Sequence, residues 1–382
     1  ENFAGDGVRF LARGFSNPGD YPGQESRGYR WPFGPVAIIS PFNFPLEIPA
    51  LQLMAALFMG NKPLIKSATT VCVVTEQFIR LLIHAGLSPS DVDLIHCRGS
   101  VMGKLMEQAR GDLRLVQFTG SSGVAEQTSK IMNGAVRLED AGFDWKVIGP
   151  DFQPDWLDYV AWQSDEDAYN ASGQKCSAQS ILFVQENWSE ALLPKLKGLA
   201  KRRSLDNLSL GAVLSWNNQE IQAHIDAVMA IPGASLLFGG QVLEGHNIPD
   251  CYGAYEPTAA QVPLSKVAGD HFEIVTTELF GPFQVIVVYG DDERLYYIID
   301  SKMALTINPY EYVNIKARST GKAITISSDR GALQPVYQLH TQKNCSKKYR
   351  GNMRFYLMSL TALLLLGGCG SSPDETLAPK LS

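Results

Sequence analysis

The sequence predicts an α/β fold with a doubly wound parallel sheet, followed by a second α/β region. Between residues 34 and 138, short β-rich runs alternate with longer helical stretches, and runs of both kinds continue to Tyr289. Such alternation is typical of parallel sheets that are covered by helices. These sheets bind ligands at the carboxyl ends of their strands.

The first region begins with a buried strand, because an apolar run follows Gly34-Pro35. The next segment is apolar on all sides and ends at Gly60-Asn61, which predicts a buried helix. An amphipathic segment then stops at Gly86, as helices often do. The same criteria predict strands at 35–40, 63–66, 91–96 and 113–118, and helices at 46–59, 71–85, 101–109 and 124–133.

The second region has fewer clear signals. It contains predicted helices at 154–170, 190–199 and 219–230 and predicted strands at 180–185, 235–238 and 284–288. After about residue 292 the periodicity weakens. We therefore predict a first domain at 1–138, a second at 139–290, an unassigned segment at 291–352 and a tail at 353–382.

Composition excludes several classes of function. The 382 residues carry a net charge of −6, and no basic stripe with interleaved aromatic residues is present, so nucleic acid is not an expected partner. The six cysteines are scattered without a CxxC pair, which argues against a zinc site, any other metal site and a disulfide framework. Such cysteines suit a reducing compartment.

Cys176 lies in the motif Gly-Gln-Lys-Cys-Ser-Ala, which spans residues 173–178. Gly173 permits a tight turn before the thiol, and small residues follow it. A nucleophilic cysteine needs exposure and a group that favours its thiolate. Taken alone, Cys176 would be interpreted as a buried structural cysteine, which is the usual role of a free thiol.

Five segments together resemble the aldehyde dehydrogenases, in that family's order. They are PFNFPLEIP at 41–49, GNKPLIK at 60–66, FTGSS at 118–122, GQKCSA at 173–178 and TELFGPF at 277–283. Each is weak alone, but five in order make chance agreement very improbable. The resemblance covers about three-quarters of the chain and implies a Rossmann-like NAD-binding domain at 1–138 and a catalytic domain at 139–290, both incomplete.

The resemblance implies three catalytic residues. Cys176 would attack the aldehyde, the side-chain amide of Asn43 and the backbone N–H of Cys176 would bind the oxyanion, and Glu139 would be the general base that hydrolyses the thioester. On their own, Asn43 is a turn residue before proline and Glu139 a solvated loop carboxylate. Most of the family has Leu-Gly-Gly after this glutamate, whereas this chain has Asp140-Ala-Gly.

The cofactor residues are also implied by resemblance. Lys66 and Glu278 would hold the two riboses of NAD, Phe280 would pack beside the nicotinamide, and Gly120 and Ser121 would receive the pyrophosphate at a helix N-terminus. On their own they would be a surface lysine, a surface glutamate, a core phenylalanine and a common strand–helix turn. Many family members have an acid three residues after the lysine, where this chain has Thr69, so NADP stays open.

The segment LEDAGFDWK at 138–146 resembles the 1-pyrroline-5-carboxylate (glutamate semialdehyde) branch of the family. In that branch the residue after the nucleophile, here Ser177, helps to receive the α-carboxylate of the substrate; its alternative role is a small residue in a tight turn. The expected reaction oxidises L-glutamate 5-semialdehyde to L-glutamate in proline breakdown. The alternatives are another semialdehyde, such as succinate semialdehyde, or a catalytically inactive remnant.

Both ends of the chain depart from the family. The N-terminus lacks an initiator Met, and the expected substrate-carboxylate loop and the strand exchanged between subunits are not found, so a homo-oligomer is doubtful. Residues 353–382 resemble a bacterial lipoprotein signal with a lipobox that ends at Cys369, although a buried or amphipathic helix is the alternative. We hypothesise a reading frame broken after about Arg294, or a tethered lipoprotein. The expected compartment is the bacterial cytoplasm, or the mitochondrial matrix in a eukaryote.

Overall fold

The computed structural model describes residues 15–28, 30–140, 142–150, 152–267, 269–290 and 325–327. The predictions for residues 291–352 and for the tail at 353–382 lie outside the described residues, except for one short strand at Thr325–Ser327. No helix in the described part of the chain is long and apolar enough to cross a membrane.

The first sheet has five parallel strands. A separate antiparallel hairpin, β1 (Phe15–Pro18) and β2 (Glu25–Gly28), precedes it. The sheet follows in the spatial order β5-β4-β3-β6-β7. Its strands are β3 (Pro35–Ser40), β4 (Lys62–Ser67), β5 (Asp93–Leu94), β6 (Leu115–Gly120) and β7 (Val136–Asp140).

Helices cover both faces of this sheet, which confirms the predicted doubly wound α/β class. Alternate residues of β3 face opposite sides, so Ile38 packs on one pair of helices and Ala37 on the other. The first pair is α1 (Glu47–Phe58) and α2 (Cys72–His84); the second is α3 (Gly99–Gln108) and α4 (Ser122–Ile131). The chain order reverses between β3 and β6, and the crevice at such a switch point is the usual ligand site.

The second sheet has six strands in the order β10-β11-β12-β9-β8-β13. Its central strands β8, β9, β11 and β12 are parallel, and its two edge strands run antiparallel. The strands are β8 (Asp144–Ile148), β9 (Gln179–Gln185), β10 (Ser235–Phe238), β11 (Thr258–Gln261), β12 (Phe283–Tyr289) and β13 (Thr325–Ser327). The helices are α5 (Leu157–Tyr169), α6 (Glu186–Ala200), α7 (Asn218–Met229), α8 (Leu264–Val267) and α9 (Phe272–Val275).

Several elements differ from the sequence predictions. The strand predicted at 91–96 is only two residues long, because Pro89–Asp91 forms a 3-10 turn. The helix predicted from residue 190 begins at Glu186, where the Gln185 side chain accepts a hydrogen bond from the Asn187 backbone and caps it. Strands β7, β8 and β11 were not predicted. The proposed boundary between 138 and 139 falls inside β7 and stays a proposal.

His224 gives the fold a pH dependence that can be measured. It lies buried on α7, its ring is 5.2 Å from that of Phe283, and burial lowers its pKa. The unfolded chain therefore binds a proton below about pH 6.5 that the folded protein excludes. We therefore expect the free energy of unfolding to decrease as the pH falls below about 6.5. His224 contributes at most about 1.4 kcal/mol of this decrease per pH unit.

His224→Phe should lose this part of the pH dependence, because it has no proton to bind. Urea unfolding at pH 5.5 and 7.5 measures the difference, with exposed His84→Gln as the control. Identical pH dependence in the wild-type protein and His224→Phe would contradict the assignment.

Candidate active site

The segment before Cys176 has an unusual backbone. Ala171 (φ 54°, ψ 29°) and Ser172 (φ 56°, ψ 34°) are left-handed, and Gly173 follows with φ 72°. Residues with a Cβ seldom adopt this conformation, which costs about 1–3 kcal/mol per residue and persists only when the surroundings impose it. The chain is therefore held in a strained turn as it leaves helix α5 and approaches the thiol.

A second loop holds this turn in place through side chains. The hydroxyl of Ser172 donates to the carbonyl of Gly211 (3.1 Å) and accepts from its N–H (2.8 Å). The amide of Gln174 donates to the carbonyl of Ala212 (2.9 Å), and its oxygen accepts from the N–H of Leu214 (2.8 Å). Both side chains are buried, so these bonds exchange little with water.

Gly173 brings the turn against the segment that contains Glu278 and Phe280. A Cβ at Gly173 would lie 2.1 Å from the carbonyl oxygen of Gly281, well inside van der Waals contact. Only glycine permits both the positive φ and this approach. The sequence predicts Gly173 as a turn residue, which accounts for the positive φ. It does not predict the close approach to Gly281.

Cys176 and Glu139 are brought together from different sheets. Cys176 is half-buried just before β9, and Glu139 is exposed near the carboxyl end of β7. The Cys176 Sγ lies 3.9 Å from Glu139 Oε1, within reach of a weak S–H···O hydrogen bond. Lys175 is directed elsewhere, since its ammonium group donates to the carbonyl of Glu166 (3.3 Å) on α5.

The loop after β3 reaches the same region. The rings of Phe42 and Phe280 meet edge to face with centroids 5.9 Å apart, so the segments that contain Asn43 and Glu278 lie against each other. Asn43 and Ser177 are half-buried. Among the described residues, no hydrogen bond joins either side chain to Cys176, so their predicted roles stay predictions.

Three of the predicted cofactor residues lie at the carboxyl edge of the first sheet. Lys66 is at the end of β4, 9% exposed, and its ammonium group has no hydrogen-bond or ion-pair partner in the described ranges. Gly120 ends β6, and a Cβ there would lie 2.8 Å from the Phe118 ring. Ser121 precedes α4 and makes no side-chain cap there, and a helix N-terminus favours an anionic ligand.

Glu278 has the most perturbed carboxyl group of the region. It is half-buried, and the loss of hydration, followed by the nearby charge of Asp144, raises its pKa to about 8. A partly desolvated carboxyl group accepts hydrogen bonds from a ligand well, because water competes for it less. Strongly perturbed acids of this kind cluster at functional sites.

Other residues that support the site were missed from the sequence. Gln52 donates to the Thr119 hydroxyl (3.1 Å), and Thr119 is the register partner of Glu139. Gln284 accepts from Gln179 and donates to the Tyr169 hydroxyl in a buried chain behind β9. Isolated glutamines carry no motif; only their burial identifies them. In the described part of the chain, no three His, Cys, Asp or Glu side chains are arranged to hold a metal ion.

Comparison with known proteins shows the family of the chain. The model of the aldehyde dehydrogenase family matches residues 3–306, which is most of the chain and includes every site residue described above. The chain belongs to the aldehyde dehydrogenase family. The resemblance of the five sequence segments is thereby confirmed, and the family match extends beyond residue 283, where the last of those segments ends.

Individual aldehyde dehydrogenases are similar over the same region. Delta-1-pyrroline-5-carboxylate dehydrogenase 12A1, mitochondrial, of Arabidopsis thaliana is 55% identical over 296 residues, which are 77% of this chain and 52% of the relative. The NAD+ complex of betaine aldehyde dehydrogenase from Staphylococcus aureus superposes with a TM-score of 0.62 at 26% identity, over 75% of this chain and 56% of that one.

Proline Utilization A from Bradyrhizobium japonicum gives a TM-score of 0.64 at 26% identity, over 78% of this chain and 30% of that one. The chain spans about half the length of the Arabidopsis relative, because the matched residues are 52% of that protein. The family match at residues 3–306 includes all strands of the first sheet and strands β8 to β12 of the second.

Proposed function

We propose that this aldehyde dehydrogenase oxidises L-glutamate 5-semialdehyde, the open form of 1-pyrroline-5-carboxylate, to L-glutamate with NAD. The observation that carries the proposal is the Cys176 thiol 3.9 Å from the Glu139 carboxylate, in a family that oxidises aldehydes. The 55% identity to the Arabidopsis pyrroline-carboxylate dehydrogenase supports the substrate. The expected partner is thus a small aldehyde, and the expected compartment is the mitochondrial matrix or the bacterial cytoplasm.

Cys176 forms the covalent bond to the substrate. Its thiolate attacks the carbonyl carbon, and the C=O π electrons move to oxygen and give a thiohemiacetal oxyanion. Glu139 is within reach of the thiol proton. The Asn43 amide and the Cys176 N–H would stabilise the oxyanion, because developing charge is stabilised best by fixed donors about 3 Å away.

The residues present fit a dinucleotide. Among the described residues, the buried ammonium group of Lys66 has no partner, and the half-buried Glu278 carboxyl can accept hydrogen bonds from ribose hydroxyls. Gly120 and Ser121 offer a close backbone approach at the N-terminus of α4, and Phe280 presents a ring to the nicotinamide. When bound, NAD accepts the hydride from the thiohemiacetal carbon. Thr69 supplies no acid against a 2′-phosphate, so NADP is tested beside NAD.

Glu139 has a second task after hydride transfer. The substrate carbon is then a thioester of Cys176, and water must attack it. Glu139 accepts one proton from that water, the C–S bond breaks, and the Cys176 thiolate leaves. Glu139 passes the thiol proton to solvent before hydrolysis, so one carboxylate next to the sulfur serves both steps.

Glu139→Gln separates the two halves of this reaction. We expect a burst of NADH close to one per active site, followed by steady turnover about 100-fold slower, because the amide cannot accept the proton of water. Stopped-flow absorbance at 340 nm measures both phases. Asp140→Asn, the next residue along β7, is the matched control and should keep the wild-type rate. A Glu139→Gln protein with normal steady turnover would contradict the assignment of the base.

The function is tested by the rate of NADH formation from the purified full chain. Glutamate 5-semialdehyde should be preferred to succinate semialdehyde in kcat/KM by at least about tenfold, because Ser177 and its neighbours would receive an α-carboxylate. Equal kcat/KM values with both semialdehydes would support aldehyde oxidation but would reject glutamate 5-semialdehyde as the preferred substrate. The same assay with NADP in place of NAD shows which dinucleotide the enzyme prefers.

A second candidate follows from the coverage of relatives, since the chain spans 52% of the Arabidopsis protein. It is a remnant that keeps the cleft but does not turn over. Folded, monodisperse protein without any NADH formation would favour it. Size-exclusion chromatography on the same sample would also show whether the chain forms a homo-oligomer.

A further inference from the structure

A row of buried hydroxyl groups lies at the carboxyl edge of the first sheet. The hydroxyl of Ser40, the last residue of β3, donates to that of Ser67 at the end of β4 (3.1 Å). Ser40 and Thr119 each follow the register pair Ile39–Phe118 by one residue, so Thr119 continues the row on β6. The side chains of Ser40, Ser67 and Thr119 are all buried. Polar contacts therefore replace apolar packing at this edge.

Gln52 meets this row from helix α1. It is 9% exposed, and its amide nitrogen donates to the hydroxyl of Thr119 (3.1 Å). The amide oxygen of Gln52 is buried and has no protein partner among the described residues. A buried polar atom without a partner costs folding free energy that an apolar side chain of the same shape avoids. Stability alone therefore does not account for a glutamine at this position.

Thr119 connects Gln52 to the catalytic pair. Thr119 is the register partner of Glu139 on β7, and register partners on neighbouring strands direct their side chains to the same face of the sheet. The Glu139 carboxylate in turn lies 3.9 Å from the Cys176 sulfur. Each step is a hydrogen bond or a strand pairing, so a shift of Thr119 is passed to Glu139.

We propose that Gln52 is a positioning residue for the general base Glu139. By holding Thr119 to α1, it fixes β6 and β7 relative to the helix that begins shortly after Asn43. The inference rests on the proposed function, which assigns Glu139 to hydrolysis of the thioester. No bond to Gln52 forms or breaks in the reaction. The proton of the attacking water passes to Glu139, and Gln52 determines only where that carboxylate lies.

Gln52→Met tests this role, because methionine keeps the length of the side chain and removes both polar atoms. We expect the burst of NADH to stay close to one per active site, since hydride transfer precedes hydrolysis, and steady turnover to fall about tenfold, since the base is displaced. The Kd for NAD+ should change little. The Tm should equal or exceed that of the wild-type protein, because a buried unpaired oxygen is removed.

The matched control is Gln77→Met, the same change at an exposed position of helix α2. It should keep the wild-type burst, steady turnover and Tm. Stopped-flow absorbance at 340 nm and thermal unfolding record these quantities for both variants.

Thr119 variants break the same contact from its other side. Thr119→Val should reproduce the slower turnover of Gln52→Met, whereas Thr119→Ser, which keeps the hydroxyl, should turn over at the wild-type rate. The two residues act through one hydrogen bond, so the double variant Gln52→Met/Thr119→Val should be no slower than either single variant. If Gln52→Met does not fold, Thr119→Val takes its place in every measurement.

A cycle with Glu139→Gln distinguishes positioning of the base from a general structural role. Once the base is absent its position no longer matters, so adding Gln52→Met to Glu139→Gln should leave the steady rate unchanged. A further tenfold fall in that double variant, a burst that shrinks together with turnover, or wild-type turnover in folded Gln52→Met would each overturn the role of Gln52.

The choice of substrate keeps this test separate from the proposed function. All rates are measured on the full chain with glutamate 5-semialdehyde and with propanal, an aldehyde without a carboxylate. Turnover of propanal alone would reject the proposed substrate, and every measurement on Gln52 would then be made with propanal. Absence of NADH formation from the wild-type protein with both aldehydes would overturn both proposals together.

Discussion

Replacing Cys176 with alanine is expected to abolish NAD-dependent aldehyde oxidation, with a fall in kcat/KM of about 10⁴-fold or more. A methyl group cannot form the C–S bond, so neither the thiohemiacetal nor the thioester can exist. The loss should be in kcat and in the burst alike, whereas NAD+ binding should change little. Steady-state NADH formation and rapid-quench measurements on the same sample record both.

The control uses another cysteine of the same chain. Cys251 is a free and exposed thiol, so Cys251→Ala should keep the wild-type rate. Cys251 is also the reference in iodoacetamide labelling of the wild-type protein. NAD and aldehyde should protect Cys176 from modification but should leave Cys251 reactive. Retained activity in Cys176→Ala would reject the entire catalytic assignment.

Gly173→Ala is expected to reduce kcat/KM by more than about 100-fold and to lower the Tm. The added Cβ would lie 2.1 Å from the Gly281 carbonyl oxygen, and the φ of 72° is strained for alanine. Relief of the contact requires a movement of about 1 Å or more between the Cys176 turn and the Glu278 segment, and a displacement of that size is enough for such a loss. Cys176 would then be displaced relative to Glu278, the residue proposed to bind a ribose.

The comparison for Gly173→Ala is a glycine without these constraints. Gly198 lies in helix α6, and a Cβ there would meet no atom within 4 Å, so Gly198→Ala should leave kcat/KM unchanged and stabilise the helix slightly. Thermal unfolding and steady-state rates are measured for both. Wild-type kinetics in Gly173→Ala would mean that the turn and the Glu278 segment can separate without consequence.

Local patterns predicted the first sheet well, since each of its strands β3, β4 and β6 is a short apolar run between turn residues. They failed where a strand is half polar. β7, with the sequence VRLED, buries only its first residue fully, and its remaining residues pair with β6 rather than pack in the core. Such a strand is recognisable only from its neighbour, which a linear pattern does not contain.

The site shows the same limit. Sequence similarity predicted Cys176 and Glu139, and the structure brings them within 3.9 Å. It did not predict that Lys175 turns to helix α5 or that Gly173 lies against Gly281. Both contacts depend on tertiary packing and leave no local signature.

The brace between the Cys176 turn and the loop at 211–214 also bears on where the chain tolerates change. Loops on the surface usually accept insertions, because few contacts depend on their backbone. Here Ser172 and Gln174 bond directly to the backbone of Gly211, Ala212 and Leu214. An insertion in that loop would release the strained turn and shift the thiol. This outer loop therefore positions the nucleophile, and it should tolerate insertions less well than other surface loops.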